Sequence, residues 1–264
     1  MKDIKRKKPE RETRILALMN QKGGVGKSTT AVNLSVALAE KKYKVLVIDF
    51  DPQGNTTSGL GIDKNTLRES IYDVVINEID INTIIKETRQ KYLYIAPSTI
   101  QLAGAEVELV TALAREMRLK ESLNSIKDEY DFIFIDCPPS LGILTINALV
   151  ACDSVLIPIQ CEYYALEGVT KLLESMRLVK SHLNSNIGIF GVVMTMYDPR
   201  TSLSKQVVEE VKEYFGDKVF NTLIPRNVRV SEAPSYGMSV LEYEPESKGA
   251  QAYRELAKEV SKRA

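Results

Sequence analysis

The chain has 264 residues, 44% of them hydrophobic, so it can bury a substantial core, and its 35 basic residues balance 35 acidic ones, which excludes nucleic-acid binding through bulk charge. The charge is unevenly placed: residues 1–14 hold seven bases (Lys2, Lys5, Arg6, Lys7, Lys8, Arg11, Arg14) and three acids, leaving 28 bases against 32 acids in the rest. Any basic surface on the body is therefore a local patch.

In chain order, residues 1–14 are expected to form a basic arm ahead of one domain at 15–264. No apolar signal core follows the arm, because the run at 15–19 is too short, and no apolar run approaches the roughly 18–20 residues that span a bilayer. Residues 15–19 predict a short buried strand that ends in a glycine-rich loop. A helix is predicted at 28–41 and a second strand at 44–50 (KVLVIDF). Further strands are predicted at 92–97, 132–136 (FIFID), 154–159, 187–196 and 219–224. Helical patterns fill 106–128, 162–182 and 203–215, and an amphipathic helix is predicted at 250–264. Continuous apolar strands suit a sheet covered on both faces. The alternation predicts an α/β fold with a doubly wound, mainly parallel sheet flanked by helices, and ligands at the carboxyl ends of the strands.

The loop after the first strand reads NQKGGVGKSTT over residues 20–30. Gly23, Gly24 and Gly26 allow the backbone to wrap closely with its N–H groups turned inward onto phosphates. Lys27 can reach the β- and γ-phosphates, and the Ser28 hydroxyl can ligand Mg²⁺. The usual phosphate-loop pattern would place glycine where Gln21 stands, and a second lysine, Lys22, opens the loop instead. Strand two ends in Asp49-Phe50-Asp51, and alternation puts both acids on one side near the loop. One of them can orient or activate water while the other helps to hold Mg²⁺ through water. Asp136 closes FIFID, where a carboxylate contacts Mg²⁺ directly or through water. Three cysteines without C-x-x-C spacing read as reduced thiols in a cytoplasmic protein.

K-G-G-V-G-K-S resembles the deviant Walker A box of the ParA/MinD class of P-loop ATPases. Over residues 13–262 the chain is similar to chromosomal, Soj-type ParA proteins. The likeness is carried by DPQGNTTSGLG (51–61), STIQLAGAEVELV (98–110), DCPPSLGILTINAL (136–149), QCEYYALEG (160–168), MTMYDPRT (194–201) and IPRNVRVSEAPSYG (224–237). The resemblance implies a fold of the P-loop NTPase type and an ATPase that uses ATP and Mg²⁺. Lys22 to Thr29, including Val25, would cradle the nucleotide, and Pro225 and Asn227 would contact adenine. Lys22 would cross to the partner's nucleotide in an ATP-sandwich homodimer, where its charge would act as an arginine finger does. Lys22, Lys27 and Asp51 would carry the reaction, with Asp51 the hydrolytic residue and Asp49 a lesser support of the metal shell.

The resemblance further implies that Arg200 and Arg229 belong to a patch that binds double-stranded DNA without sequence preference. A ParB-type centromere-binding partner would stimulate hydrolysis, the protein would associate with the nucleoid, and a replication initiator would be a second partner. A MinD-like membrane-positioning ATPase shares the loop. Its membrane helix would correspond to residues 250–264, whose apolar face is thin and lacks Phe and Trp, so docking on the body and no stable membrane association are expected. An iron–sulfur carrier like the nitrogenase iron protein would need cysteines near a dimer axis, a pattern that Cys137 and Cys152 do not form.

Overall fold

The computed structural model describes residues 12–264, and most of the predicted basic arm, residues 1–11, lies outside the described residues. In chain order the elements are β1 (Arg14–Leu18), α1 (Lys27–Glu40), β2 (Val45–Asp49), α2 (Asn55–Gly59), α3 (Ile71–Ile76), β3 (Lys86–Glu87), β4 (Leu93–Ala96), α4 (Leu102–Glu108), α5 (Arg118–Asn124), β5 (Phe132–Asp136), α6 (Ile143–Ala151), β6 (Ser154–Gln160), α7 (Glu167–His182), β7 (Gly188–Thr195), α8 (Ser202–Phe215), α9 (Val228–Glu232), α10 (Val240–Tyr243) and α11 (Lys248–Arg263). They form one sheet of order β3-β4-β2-β5-β1-β6-β7, parallel except for β3.

Apart from the exposed edge strand β3, the strands are mostly apolar because helices cover both faces of the sheet. Every residue of β2 and β5 is buried. Alternation divides them between two cores. Ile15, Leu46, Ile48, Ile133 and Ile135 face one, packed with residues of α3 to α8, while Leu16, Val45, Val47, Phe132 and Phe134 face the other, packed with α1 and α11. The register sets Leu18 beside Asp136 and Asp136 beside Asp49, so the carboxyl ends of β1, β5 and β2 meet at one rim.

Several expectations are corrected. The predicted strand at 219–224 makes only an isolated bridge, Val192 to Val219, and a second isolated bridge, Tyr197 to Pro225, follows just beyond it. The Glu259 carboxylate accepts the N–H groups of Asn221 and Thr222 at 2.9 and 2.7 Å, which diverts them from a strand ladder. The predicted helix at 106–128 breaks into α4, a tight 3₁₀ turn and α5. Ala114 adopts a left-handed conformation (φ 51°), and the Asn147 amide holds the break by donating to the Arg115 carbonyl at 2.7 Å. The helix predicted from 162 begins at Glu167, because Tyr164 is also left-handed (φ 60°). The arm boundary moves as well. Arg14 opens β1 and donates to the Ala264 carbonyl, and the Thr13 hydroxyl bonds the carbonyls of Lys127 and Tyr130, so residues 13 and 14 belong to the fold.

Helix α11 buries Tyr253, Leu256, Ala257 and Val260 completely, with the Tyr253 hydroxyl 3.4 Å from Thr30 of α1. At its end Arg263 donates to the carbonyls of Phe190, Lys218 and Asp217, and its guanidinium lies 4.1 Å from the centroid of the Phe220 ring. We predict that Leu256→Ala lowers the unfolding free energy by about 2–5 kcal/mol in urea titrations of the full chain. Lys258→Ala, at an exposed pair with Glu255, should stay within roughly 0.5 kcal/mol of the parent.

Candidate nucleotide site

The loop between β1 and α1 turns on two glycines in the left-handed region, Gly24 (φ 75°) and Gly26 (φ 90°), where other residues would be strained. A Cβ at Gly23 or Gly24 would meet nothing within 4 Å, so this side of the loop faces open space. Its other side is braced. The Asn20 amide donates to the Pro158 carbonyl of β6 at 2.8 Å and accepts the Lys22 N–H at 3.0 Å. The Thr195 hydroxyl of β7 donates to the Val25 carbonyl at 2.8 Å. The free backbone N–H groups at the start of α1 therefore sit on a rigid turn, a ready anion site.

Lys27 is buried, and its ammonium has one long contact, 3.5 Å to the Lys22 carbonyl. Burial pulls its pKa down, while Asp136, Cys137 and Asp51 pull it back up. A dry, weakly satisfied cation of this kind favours an anionic ligand.

Asp49 and Asp136 are register partners on adjacent strands, and both are fully buried. Burial raises the pKa of each, and Asp136 adds to the effect on Asp49. The Asp49 carboxylate is satisfied within the protein: Oδ2 accepts the Thr57 N–H (2.7 Å) and hydroxyl (2.6 Å), and Oδ1 accepts the Asp51 N–H (3.3 Å). Asp136 differs. Its Oδ2 accepts the Thr56 hydroxyl at 2.7 Å, whereas Oδ1 has no hydrogen-bond partner among the described residues. The Ser28 hydroxyl lies against this carboxylate and lowers its pKa. Asp51 stands at the rim, where its Oδ1 accepts the Gln53 N–H at 2.9 Å.

Of these groups, Lys27, Ser28 and Asp51 border an open cleft of about 610 Å³. Its walls include Gly23, Gly24, Gly26, Lys27, Ser28, Thr29 and Asp51. They also include Asn55, Ser58, Pro139, Met196, Pro234 and Ser235, none of which the sequence reading had singled out. The position of Asn55 and Ser58 just after the Asp49–Asp51 acids was the available signal. Pro234 and Ser235 arrive from the far end of the chain, and their signal was the family-like segment 224–237.

Lys22, Val25, Asp49, Asp136, Pro225 and Asn227 do not line the cleft. Val25 turns into the core, and the half-buried Lys22 side chain makes no ion pair among the described residues. Pro225 bridges Tyr197, next to Met196 of the cleft wall. Asn227 caps α9 by accepting the Arg229 N–H at 2.9 Å. Arg200 and Arg229 lie on the surface, outside the cleft, and each is held by an acid. Arg200 grips Asp198 with two bonds of 2.9 and 2.7 Å, which holds that carboxyl down at about 2. Arg229 donates to Glu232 at 2.8 Å.

Cys137, Cys152 and Cys161 are buried with their thiols shifted up, the latter two to about 12, so they read as packing groups. Among the described residues no three His, Cys, Asp or Glu side chains converge as a metal cage. Thr57→Val should cost roughly 2–5 kcal/mol in urea unfolding. It strips a donor from Asp49 and an acceptor from the Ser98 N–H, which the Thr57 hydroxyl receives at 2.9 Å.

A family model described as an AAA domain matches residues 13–189. The sporulation initiation inhibitor protein Soj of Bacillus subtilis is 58% identical over 248 residues, 94% of this chain and 98% of that protein. The chromosome partitioning protein ParA of Myxococcus xanthus is 50% identical over 250 residues, 95% of this chain and 88% of that one. Among solved structures, cobyrinic acid a,c-diamide synthase from Mycobacterium smegmatis with bound ADP and magnesium matches with a TM-score of 0.84 at 36% identity, covering 95% of this chain and 94% of that chain. The septum site-determining protein MinD from Pyrococcus horikoshii, complexed with Mg-ADP, matches with a TM-score of 0.77 at 28% identity, covering 95% and 96%. With its braced phosphate loop, its acids at the ends of β2 and β5 and this near full-length identity, the chain belongs to the ParA/Soj family of chromosome-partitioning P-loop ATPases.

Proposed function

We propose that this chain is a DNA-partitioning switch, which dimerises around ATP, holds DNA without sequence preference and lets go when ATP is hydrolysed. The observation that carries the nucleotide half is the buried Lys27 ammonium, with one long contact to the Lys22 carbonyl, together with the unpartnered oxygen of buried Asp136. That pair fits a phosphate chain with its cation: a positive group short of an anion and a carboxylate oxygen short of a positive partner.

ATP supplies the transferable phosphoryl group, and Mg²⁺ neutralises the charge that develops on it. The N–H groups of residues 23–29 and Lys27 hold the phosphates, and Ser28 and Asp136 hold the cation side. Asp51, at the rim, orients the attacking water. Asp49 serves as support, since its oxygens are already taken by Thr57 and Asp51. Lys22, without an acidic partner among the described residues, reaches toward the nucleotide of a second copy in the homodimer. Pro225 and Asn227 meet the adenine.

Arg200 and Arg229 of both subunits form the DNA patch. Each has a half-buried acid as its present partner, Asp198 or Glu232, and DNA phosphates would take the acids' place. A ParB-type protein stimulates hydrolysis, and a replication initiator is a further partner of the nucleoid-associated, cytoplasmic protein. The burial of the α11 apolar face supports partitioning over membrane anchoring through that helix, and no helix among the described residues is long and apolar enough to cross a membrane.

Asp51→Ala is expected to keep affinity for a fluorescent ATP analogue while phosphate release falls about 10²–10⁴-fold. Normal turnover in that variant would overturn the assignment. For the DNA half, binding to a random-sequence duplex at fixed salt is expected with ATP and not with ADP. Arg200→Ala and Arg229→Ala should each weaken it uniformly across sequences and reduce the salt slope by about 1. Unchanged affinity in both variants would remove these arginines from the patch.

A further inference from the structure

Helix α2 carries two consecutive threonines, and each hydroxyl meets a different buried carboxylate. Thr57 Oγ1 donates to Asp49 at 2.6 Å, and Thr56 Oγ1 donates to Asp136 Oδ2 at 2.7 Å. Thr56 and Asp136 are both fully buried, so bulk water does not compete for this bond. The remaining Asp136 oxygen, Oδ1, is buried and has no partner among the described residues.

An aspartate carboxylate turns easily about its last torsion, which is broad and roughly two-fold. The Thr56 hydroxyl opposes this rotation. It ties one chosen oxygen to α2 and leaves the other without a partner among the described residues.

We propose that Thr56 is a positioning residue of the ATPase reaction, whose hydroxyl fixes the Asp136 carboxylate so that Oδ1 stays free for the cation that accompanies ATP. This rests on the reading of Asp136 as the cation-side carboxylate. Thr56 itself touches neither the phosphates nor the cation and acts through Asp136. Outer hydrogen-bond partners of metal-binding carboxylates typically change metal affinity by about 10–100-fold.

The test measures the Mg²⁺ concentration that half-saturates binding of a fluorescent ATP analogue to the full chain, in wild type, Thr56→Val, Thr56→Ser and Asp136→Asn. Thr56→Val is expected to raise that concentration about 10-fold or more, and Thr56→Ser to restore it to within about twofold. Binding of the analogue in EDTA should be the same in all four. If Thr56→Val keeps the wild-type Mg²⁺ requirement while Asp136→Asn raises it, Thr56 is structural only and the proposal fails. If neither variant moves it, the reading of Asp136 fails and takes the proposal with it. Equal impairment of the valine and serine variants would also overturn it, because the hydroxyl would not be the cause. Should Thr56→Val not fold, Thr56→Cys, a weak donor of similar size, is held to the same criteria.

Discussion

Two carboxylates lie side by side in the dry interior, Asp49 at the end of β2 and Asp136 at the end of β5. Burying like charges is costly unless each finds its own donors. The chain meets this constraint by folding back at once after β2. The Asp51 carboxylate accepts the Gln53 N–H, Gly54 turns in the left-handed region (φ 61°), and α2 then delivers Thr56 and Thr57 to the two acids. The Ser98 N–H completes the set by donating to the Thr57 hydroxyl. The position of α2, and with it one wall of the cleft, follows from this need.

The phosphate loop depends on the same rim. Lys27 draws part of its charged character from Asp136, against the pull of burial. Contacts from β6 and β7, through Pro158 and Thr195, hold the loop in shape from behind. Helix α1 leaves the loop between the sheet and α11, and Asn33 on it accepts the Val240 N–H at 2.7 Å, joining the nucleotide helix to α10. A site assembled from strand ends is thus backed by elements from the whole length of the chain, and a preorganised loop loses little entropy when it takes up an anion.

On the surface, Arg200, Arg226 and Arg229 each face one acid, Asp198, Glu162 and Glu232. Ion pairs open to solvent on one side are screened and individually weak, so exchanging an acid for a DNA phosphate has a small energetic cost. For the proposed DNA surface, local pairing reconciles a neutral chain with a basic patch. It also makes ionic strength a natural control on binding.

What the sequence by itself determined was whatever depends on near neighbours. The apolar runs marked β1, β2, β4, β5, β6 and β7, because a strand covered on both faces needs no polar residues. The glycines and lysines of 20–30 marked the phosphate loop, because that backbone shape demands them in order. The acids at 49, 51 and 136 were legible as strand-end groups, and the long likeness to Soj-type chains carried the family. Only the tertiary structure decided which acid is satisfied and which is left open, since Thr56 and Thr57 choose between Asp136 and Asp49 across the rim. It also decided that residues 219–224 are not a continuous strand: Phe220 and Ile224 donate to Val192 and Met194 of β7, but Glu259, on α11, takes the N–H groups of Asn221 and Thr222 between them. The break in the helix predicted at 106–128, held by Asn147, was hidden for the same reason, as was the entry of Pro234 and Ser235 into the cleft wall. Hydrogen bonds and walls made by residues far apart in the chain leave no periodic trace in sequence, because they depend on where the packed elements bring those residues together.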